Sequence, residues 1–393
     1  MMSELLESRW TDTKTALLEG LDGNKKSVMA ATLENTRKYL SESATAGATS
    51  AGNVATLNRV ILPVIRRVMP TVIANELVGV QPMTGPVGQI HTLRVRYADA
   101  FNSTSGTDTA AGDEALSPFK IAEGYSGAAA DDKAAATSAL EGAAGNRMSI
   151  QILKQTVEAK SRKLSARWTF EAAQDAQSQH GIDVEAEIMA ALAQEITAEI
   201  DQEVLASLGS LAGTAAETYD QSAVSGTATF VGDEHAALAV QINRVSNLIA
   251  QRTRRGAGNW AVVSPFALTI LQSATTSAFA RTTEGTFEAP TNTKMVGTLN
   301  NAMKVYVNTY AADNSAVLIG YKGSSESDAA AFYCPYIPLM SSGVVLDPDT
   351  FEPTVSFMTR YGYVELNNTA SSLGNAADYL GKVDITNSAV SFS

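Results

Sequence analysis

Apolar residues return every four positions from Val184 through Ile188, Leu192, Ile196, Ile200 and Val204 to Leu208, which predicts one unbroken helix over 183–208. Asp183 stands at the N-cap position, Glu185 and Glu187 occupy the first turn where the helix dipole favours acids, and Gly209 is the expected stop. Such a helix is roughly 39 Å long. It carries seven acidic residues and no Lys or Arg, so it reads as a stiff, negatively charged beam.

Elsewhere the period changes. Gln89 to Tyr97 alternates, with His91, Leu93, Val95 and Tyr97 on one face and Ile90, Thr92, Arg94 and Arg96 on the other, as in a half-buried strand. Strand-like residues resume at Ile150–Leu153 and Ala159–Phe170. Residues 235–345 alternate between helix and strand. Leu238, Ile242, Val245 and Ile249 form a helical stripe, and Trp260–Val263, Val305–Tyr310 and Ala316–Tyr321 read as strands. Ser264 and Pro265 supply the cap and first turn of another helix. Thr354–Tyr361 alternates again, with Val355, Phe357 and Tyr361 facing one way, and no internal repeat is present.

Two regions lack this density of apolar positions. At the N-terminus, Leu5, Leu6, Trp10, Leu17, Leu18 and Leu21 recur at near-helical spacing, and a second helical stretch covers 25–40. Small polar residues over 41–53 then read as a linker. Pro63 and Pro70 break the pattern of 54–80 into short helical pieces. From Phe101 to Arg147 the only Leu, Ile or Val residues are Leu116, Ile121 and Leu140. That segment is expected to bury no core of its own, to be mobile in an isolated subunit and to order against a partner.

Composition narrows the classes. The 393 residues suit one large or two coupled domains, and 45% hydrophobic with 18% charged residues excludes wholesale disorder. No apolar run reaches the ~18–20 residues of a membrane span, and Met1–Glu7 lacks the pattern of a secretory signal. With the lone Cys334 no internal disulfide forms, and synthesis in the cytoplasm is expected. A net charge of −12 argues against general nucleic-acid binding, which depends on neutralising phosphates, and suits a protein that encloses DNA without adhering to it.

Candidate chemistry is sparse. His91, His180 and His235 lie far apart, His91 being expected to pack on the apolar face of its strand and His180 to serve a turn. HExxH, CxxC, GxSxG, Walker A and post-strand GxGxxG patterns are absent, so neither a catalytic centre, a metal site nor a cofactor is expected. Cys334 reads as a small buried hydrophobe. The basic groups Arg66 with Arg67, Arg94 with Arg96, and Arg252 with Arg254 and Arg255 lack the interleaved aromatics of a nucleic-acid groove. They are candidate inter-subunit contacts. Lys160, Arg162 and Lys163, with Arg167, complement the acidic helix, within one subunit or between two.

Three long stretches, in order, carry a resemblance. They are IRRVMPTVIANELVGVQPMTGPVGQIHTL from Ile65, KLSARWTFEAAQDAQSQHGIDVEAEIMAALAQEITAEIDQEVL within 159–208, and YKGSSESDAAAFYCPYIPL with DPDTFEPTVSFMTRYGY within 320–363. Together they resemble the major capsid protein family of T4-like myoviruses. The resemblance implies an α+β, HK97-like capsid fold. It would comprise an N-terminal arm (1–60), an extended loop (88–165), an axial domain (225–343), and a peripheral domain with a long spine helix from 61–87, 166–224 and 344–393. It also implies hexamers and pentamers closing into a head around double-stranded DNA, assembled with scaffold, prohead protease, portal and decoration proteins. Residues 101–147 are too short and plain for the folded insertion of the largest members. Family proteases favour Glu two positions after Leu or Ile, which makes Glu42 and Glu19 candidate cleavage positions and 1–42 a removable assembly segment. An encapsulin-like compartment, an α/β enzyme without a recognisable motif and a nucleic-acid-binding module are the competing readings.

Overall fold

The computed structural model describes residues 10, 14–15, 17–18, 23–46, 73–103, 108–113, 115, 124–127, 134–141, 145–180, 183–221, 231–274, 279–281, 294–300, 302–312, 315–347, 349–350, 352–366 and 375–386. Its longer helices are α1 (Gly23–Ala46), α2 (Phe170–His180), α3 (Val184–Leu211), α4 (Val231–Thr253) and α5 (Pro265–Ser273). The first strands are β1 (Gly79–Val80), β2 (Val87–Tyr97), β3 (Met148–Glu158), β4 (Lys160–Arg167) and β5 (Glu217–Asp220). Then come β6 (Trp260–Val263), β7 (Phe279–Arg281), β8 (Lys294–Leu299), β9 (Met303–Val307) and β10 (Val317–Gly320). The last are β11 (Ala331–Ser341), β12 (Val345–Leu346), β13 (Pro353–Glu365) and β14 (Leu380–Thr386). This is the expected α+β class, and the chain forms two compact units.

The first unit takes Met1–Gly88, Thr156–Ser207 and Phe332–Val364. Its sheet runs β1-β11-β13-β12, with β4 also paired to β13. Nearly all of β11 is buried, as expected for a strand covered on both faces. Along β13 the expected alternation holds: Val355, Phe357 and Tyr361 are buried while Ser356 is exposed. The beam helix α3 buries Leu192, Ile196, Ile200 and Val204. Its N-cap is as expected, for Asp183 Oδ1 accepts from the amides of Glu185 at 3.1 Å and Ala186 at 3.4 Å.

Several boundaries differ from expectation. Gly209 does not end α3, because an interior glycine costs a helix only about 1 kcal/mol. The left-handed residue that does follow its end is Gly213, at φ +68°. Of the linker expected over 41–53, residues 41–46 are helical instead, since α1 continues to Ala46 through Ser, Glu, Ala and Thr residues with no glycine between Gly23 and Gly47; 47–53 lie outside the described residues. Ala159–Phe170 is strand only to Arg167. There Thr169 Oγ1 accepts from the Ala172 amide at 3.4 Å and starts α2. Of 54–80, the described part holds one helical turn, Ala74–Leu77, and β1. Leu5, Leu6, Leu21, Pro63 and Pro70 lie outside the described residues.

The second unit takes Gln89–Gln155, Leu208–Ala331 and Glu365–Ser393. Its seven-stranded sheet has the order β5-β14-β10-β6-β9-β8-β7. The stripe Leu238, Ile242, Val245 and Ile249 of α4 is at most 1% exposed and packs with Ala261, Val263, Val305, Ile319, Val383 and Ile385 of the sheet. Ser264 caps α5 as expected, accepting from the Ala267 amide at 3.1 Å, with Pro265 at the first position. Gly381 permits the close approach of β14 to α4: a β-carbon there would lie 2.4 Å from Val245 Cγ1. Residues 344–393 are divided between the units, 344–364 staying with the first and the C-terminal strand joining the second. Strand β14 pairs antiparallel with β10 and parallel with β5, and Val383 and Ile385 complete the second unit's core. Strands β2 and β3 form a separate two-stranded ribbon.

Candidate assembly surface

Alternate residues of a strand share a face, and on β3 one such set is Met148, Ile150 and Ile152, exposed by 54%, 68% and 65%. Three large apolar side chains in a row on one side of a two-stranded ribbon form an unpaid hydrophobic surface, the usual mark of a protein–protein contact. The sequence marked Ile150–Leu153 as strand-like, whereas the exposure of this face is set by the tertiary structure.

The chain between β2 and β3 is fastened by aromatics. The Tyr125 ring lies 4.5 Å from that of Tyr97 and 5.9 Å from that of Phe101, and these three with Ala115 are 5–7% exposed. Tyr125 Oη donates to the Arg147 carbonyl at 2.7 Å, and Asn146 Nδ2 donates to the Tyr125 carbonyl at 2.7 Å. The Arg147 guanidinium meets Asp99 at 3.2 Å, and its side-chain and backbone hydrogen bonds hold the Asp99 carboxyl below its ordinary range. The expectation that 101–147 buries no core is thus corrected. A search for Leu, Ile and Val passes over Tyr97, Phe101 and Tyr125, whose rings supply the packing instead.

The described basic positions lie on separate elements. Arg94 is buried, and Arg96 beside it in β2 has a buried Nε without a hydrogen-bond partner. Lys160 and Lys163 are exposed on β4. Arg252 closes α4, Arg254 takes a left-handed φ of 50°, and Arg255 pairs with Asp328 at 2.7 Å. Arg66, Arg67 and Glu19 lie outside the described residues, and Glu42 lies within α1 rather than in a linker.

Arg162 answers the acidic beam from inside the chain. It reaches Glu199 and Glu203 of α3 at 2.6 Å each and the Tyr361 hydroxyl at 2.6 Å, while that hydroxyl donates to Glu203. The group ties β4 and β13 to the helix. Because the side chains are 30–45% exposed, solvent screens much of the attraction. Arg162→Met is expected to lower the first unit's stability by roughly 1–2 kcal/mol, read as a shifted denaturant midpoint with unchanged slope. Two residues before Glu203, Asp201 is 2% exposed and accepts the Ile73 amide at 2.9 Å. Burial pushes its pKa up to about 7.

The histidines and the cysteine stand on separate elements. His91 is exposed, not packed as expected, since a two-stranded ribbon offers no second layer to cover it. His180 ends α2. His235 is 3% exposed with Nδ1 against Ser273 Oγ, and burial holds its pKa below the ordinary value. Cys334 is buried as expected, its thiol pushed up to about 11 by burial. Among the described residues no three His, Cys, Asp or Glu side chains group to hold a metal ion, and no helix is long and apolar enough to cross a membrane.

Residues 54–385 match the family model described as major capsid protein Gp23. The major capsid protein of Vibrio phage KVP40 is 30% identical over 417 residues, covering 84% of this chain and 80% of that protein. That of Enterobacteria phage T4 is 30% identical over 425 residues, covering 86% and 80%. Among solved structures, a chain of Mycobacterium phage Adephagia superposes with a TM-score of 0.47 at 12% identity, covering 81% of this chain and 90% of that one.

Proposed function

The chain belongs to the major capsid protein Gp23 family, structural proteins of the phage capsid, and from that premise we propose that its copies tile as hexamers and pentamers into a closed head around double-stranded DNA. The observation that carries this reading is the apolar face of Met148, Ile150 and Ile152, held out on a ribbon that its own aromatics fasten. Laid over an adjacent copy, such a face adds area to each contact. Many contacts of modest strength let subunits correct errors before closure. The acidic chain repels the phosphates it encloses, which leaves the packaged DNA free to exit. Scaffold, prohead protease, portal and decoration proteins are the partners this reading calls for, and no chemistry is assigned to the chain itself.

In this reading the first unit, with α3 as its spine, is the peripheral domain. The seven-stranded sheet and its helices form the axial domain, and 88–165 is the extended loop. Negative-stain microscopy of the purified chain is expected to show closed shells or ring-shaped capsomers. A strictly monomeric protein at high concentration overturns the proposal, and shells filled with a protein cargo favour an encapsulin-like compartment instead.

A further inference from the structure

Helix α2 is formed without a buried face. From Glu171 to Ser178 every side chain is exposed except those of Ala173 and Ala176, which are half-buried. A helix of 11 residues is marginal in water by itself, and burial of one face is what ordinarily holds it. Its exposed positions Glu171, Gln174, Asp175 and Ser178 follow the i, i+3, i+4, i+7 spacing of one helix face. That stripe presents carboxylates, an amide and a hydroxyl, and α2 holds no Lys or Arg to offset them.

The same unit holds a surface of the opposite character. Across β4 and β13, Lys163 stands opposite Met358, Ser165 opposite Ser356 and Ser161 opposite Arg360, so these side chains share one face. Arg162, one residue out of step, points the other way, to α3. Lys163, Ser165, Met340, Ser342, Ser356 and Met358 wall a depression of about 440 Å³. Beside it the Arg360 guanidinium lies 5.3 Å from the centroid of the Tyr336 ring. The paired positions from Ser161 to Ser165 and Ser356 to Arg360 thus carry Lys163 and Arg360 and no acid, in a chain of net charge −12. None of the depression's described walls comes from α2, so a single copy leaves both surfaces open. We propose that the β4–β13 face is the docking site for α2 of a second copy. In this docking Glu171 and Asp175 meet Lys163 and Arg360, while Gln174 and Ser178 exchange hydrogen bonds with Ser165 and Ser356. The methionines supply an apolar floor that adapts to the helix. The proposal deepens the shell reading and rests on it for bringing copies side by side.

The test uses the full-length chain. Equal amounts of ¹⁵N-labelled and unlabelled protein are mixed at low concentration, concentrated, and treated with a zero-length carbodiimide, which joins an amine to a carboxylate only in direct contact. Mass spectrometry is expected to find Lys163 linked to Glu171 or Asp175 in the concentrated protein. About half the linked pairs should carry one labelled and one unlabelled peptide, the statistical result for a contact between copies. Lys163→Gln should remove the link. Lys163→Glu turns the attraction into a repulsion and should raise the concentration at which particles scatter light by about tenfold. Adding Glu171→Lys and Asp175→Lys to that variant should reverse the rise. A Lys163 link confined to same-isotope pairs overturns the docking, as does its absence from concentrated protein whether or not particles form. Mixed pairs without particles uphold the docking and count against the closed shell instead.

Discussion

Tyr125→Ala is expected to open the segment between β2 and β3 while leaving the first unit and the seven-stranded sheet folded. Its ring packs against Tyr97 and Phe101, its hydroxyl holds the Arg147 carbonyl, and its own carbonyl takes the Asn146 amide. Deleting a buried aromatic costs roughly 3–5 kcal/mol, and few other apolar side chains here could compensate. Local opening should therefore rise about a hundredfold or more, since 1.4 kcal/mol is tenfold. Hydrogen exchange reports it at the amides of Phe101, bonded to Thr109, and Gly112, bonded to Tyr97. Tyr125→Phe keeps the ring and loses the hydroxyl bond, so a cost of about 1 kcal/mol is expected. Because the ribbon presents Met148, Ile150 and Ile152, the alanine variant should also assemble more slowly, as followed by light scattering, for each copy must then order the loop as it binds. Equal protection of these amides in Tyr125→Ala and the parent chain would show that the aromatic clasp fastens nothing.

Asp201→Asn should stabilise the first unit at alkaline pH and change little in acid. A carboxylate whose folded pKa is raised keeps its proton when folded and loses it when unfolded, over the interval between the two values. Stability is thus full below the unfolded value near 4 and declines until the pH passes about 7. Three pH units correspond to about 4 kcal/mol as an upper bound. Asparagine cannot ionise, and its side-chain oxygen can still accept the Ile73 amide. Glu203, two residues away, behaves oppositely: burial raises its pKa, but hydrogen bonds from Arg162 and Tyr361 prevail and lower it. The comparison is therefore made as a difference between variant and parent, so that Glu203 cancels. Chemical denaturation at pH 5 and pH 8 should show an advantage for the variant that grows with pH. A constant or shrinking advantage would mean that Asp201 is already ionised in the folded chain at low pH.

The helical stripes and strand alternation were legible because each is a local record of one buried face. Val184 to Leu208 and Leu238 to Ile249 carry the period of a helix, and Thr354 to Tyr361 that of a strand, wherever the rest of the chain lies. Element ends were less legible. Gly209 and Gly213 are equally good stops by composition, and only the backbone decides which one turns left-handed. Arg162 was recognisable as a complement to the acidic helix, but whether it served its own chain or a neighbour depended on β4 lying beside β13, a pairing no local pattern encodes. The clasp around Tyr125 was missed because three aromatics spread over 97–125 leave no periodic trace.

By itself, the sequence determined the α+β class, the acidic spine helix, the poverty of catalytic groups and the family resemblance, since each depends on residue type and near-neighbour spacing. The tertiary structure alone decided that β14 completes the second sheet, that Asp201 is enclosed and that Asn35 of α1 bonds to the Met83 and Tyr336 carbonyls. Such pairings join residues up to hundreds of positions apart. Their energy comes from burial and hydrogen bonds that exist only once the intervening chain has been placed.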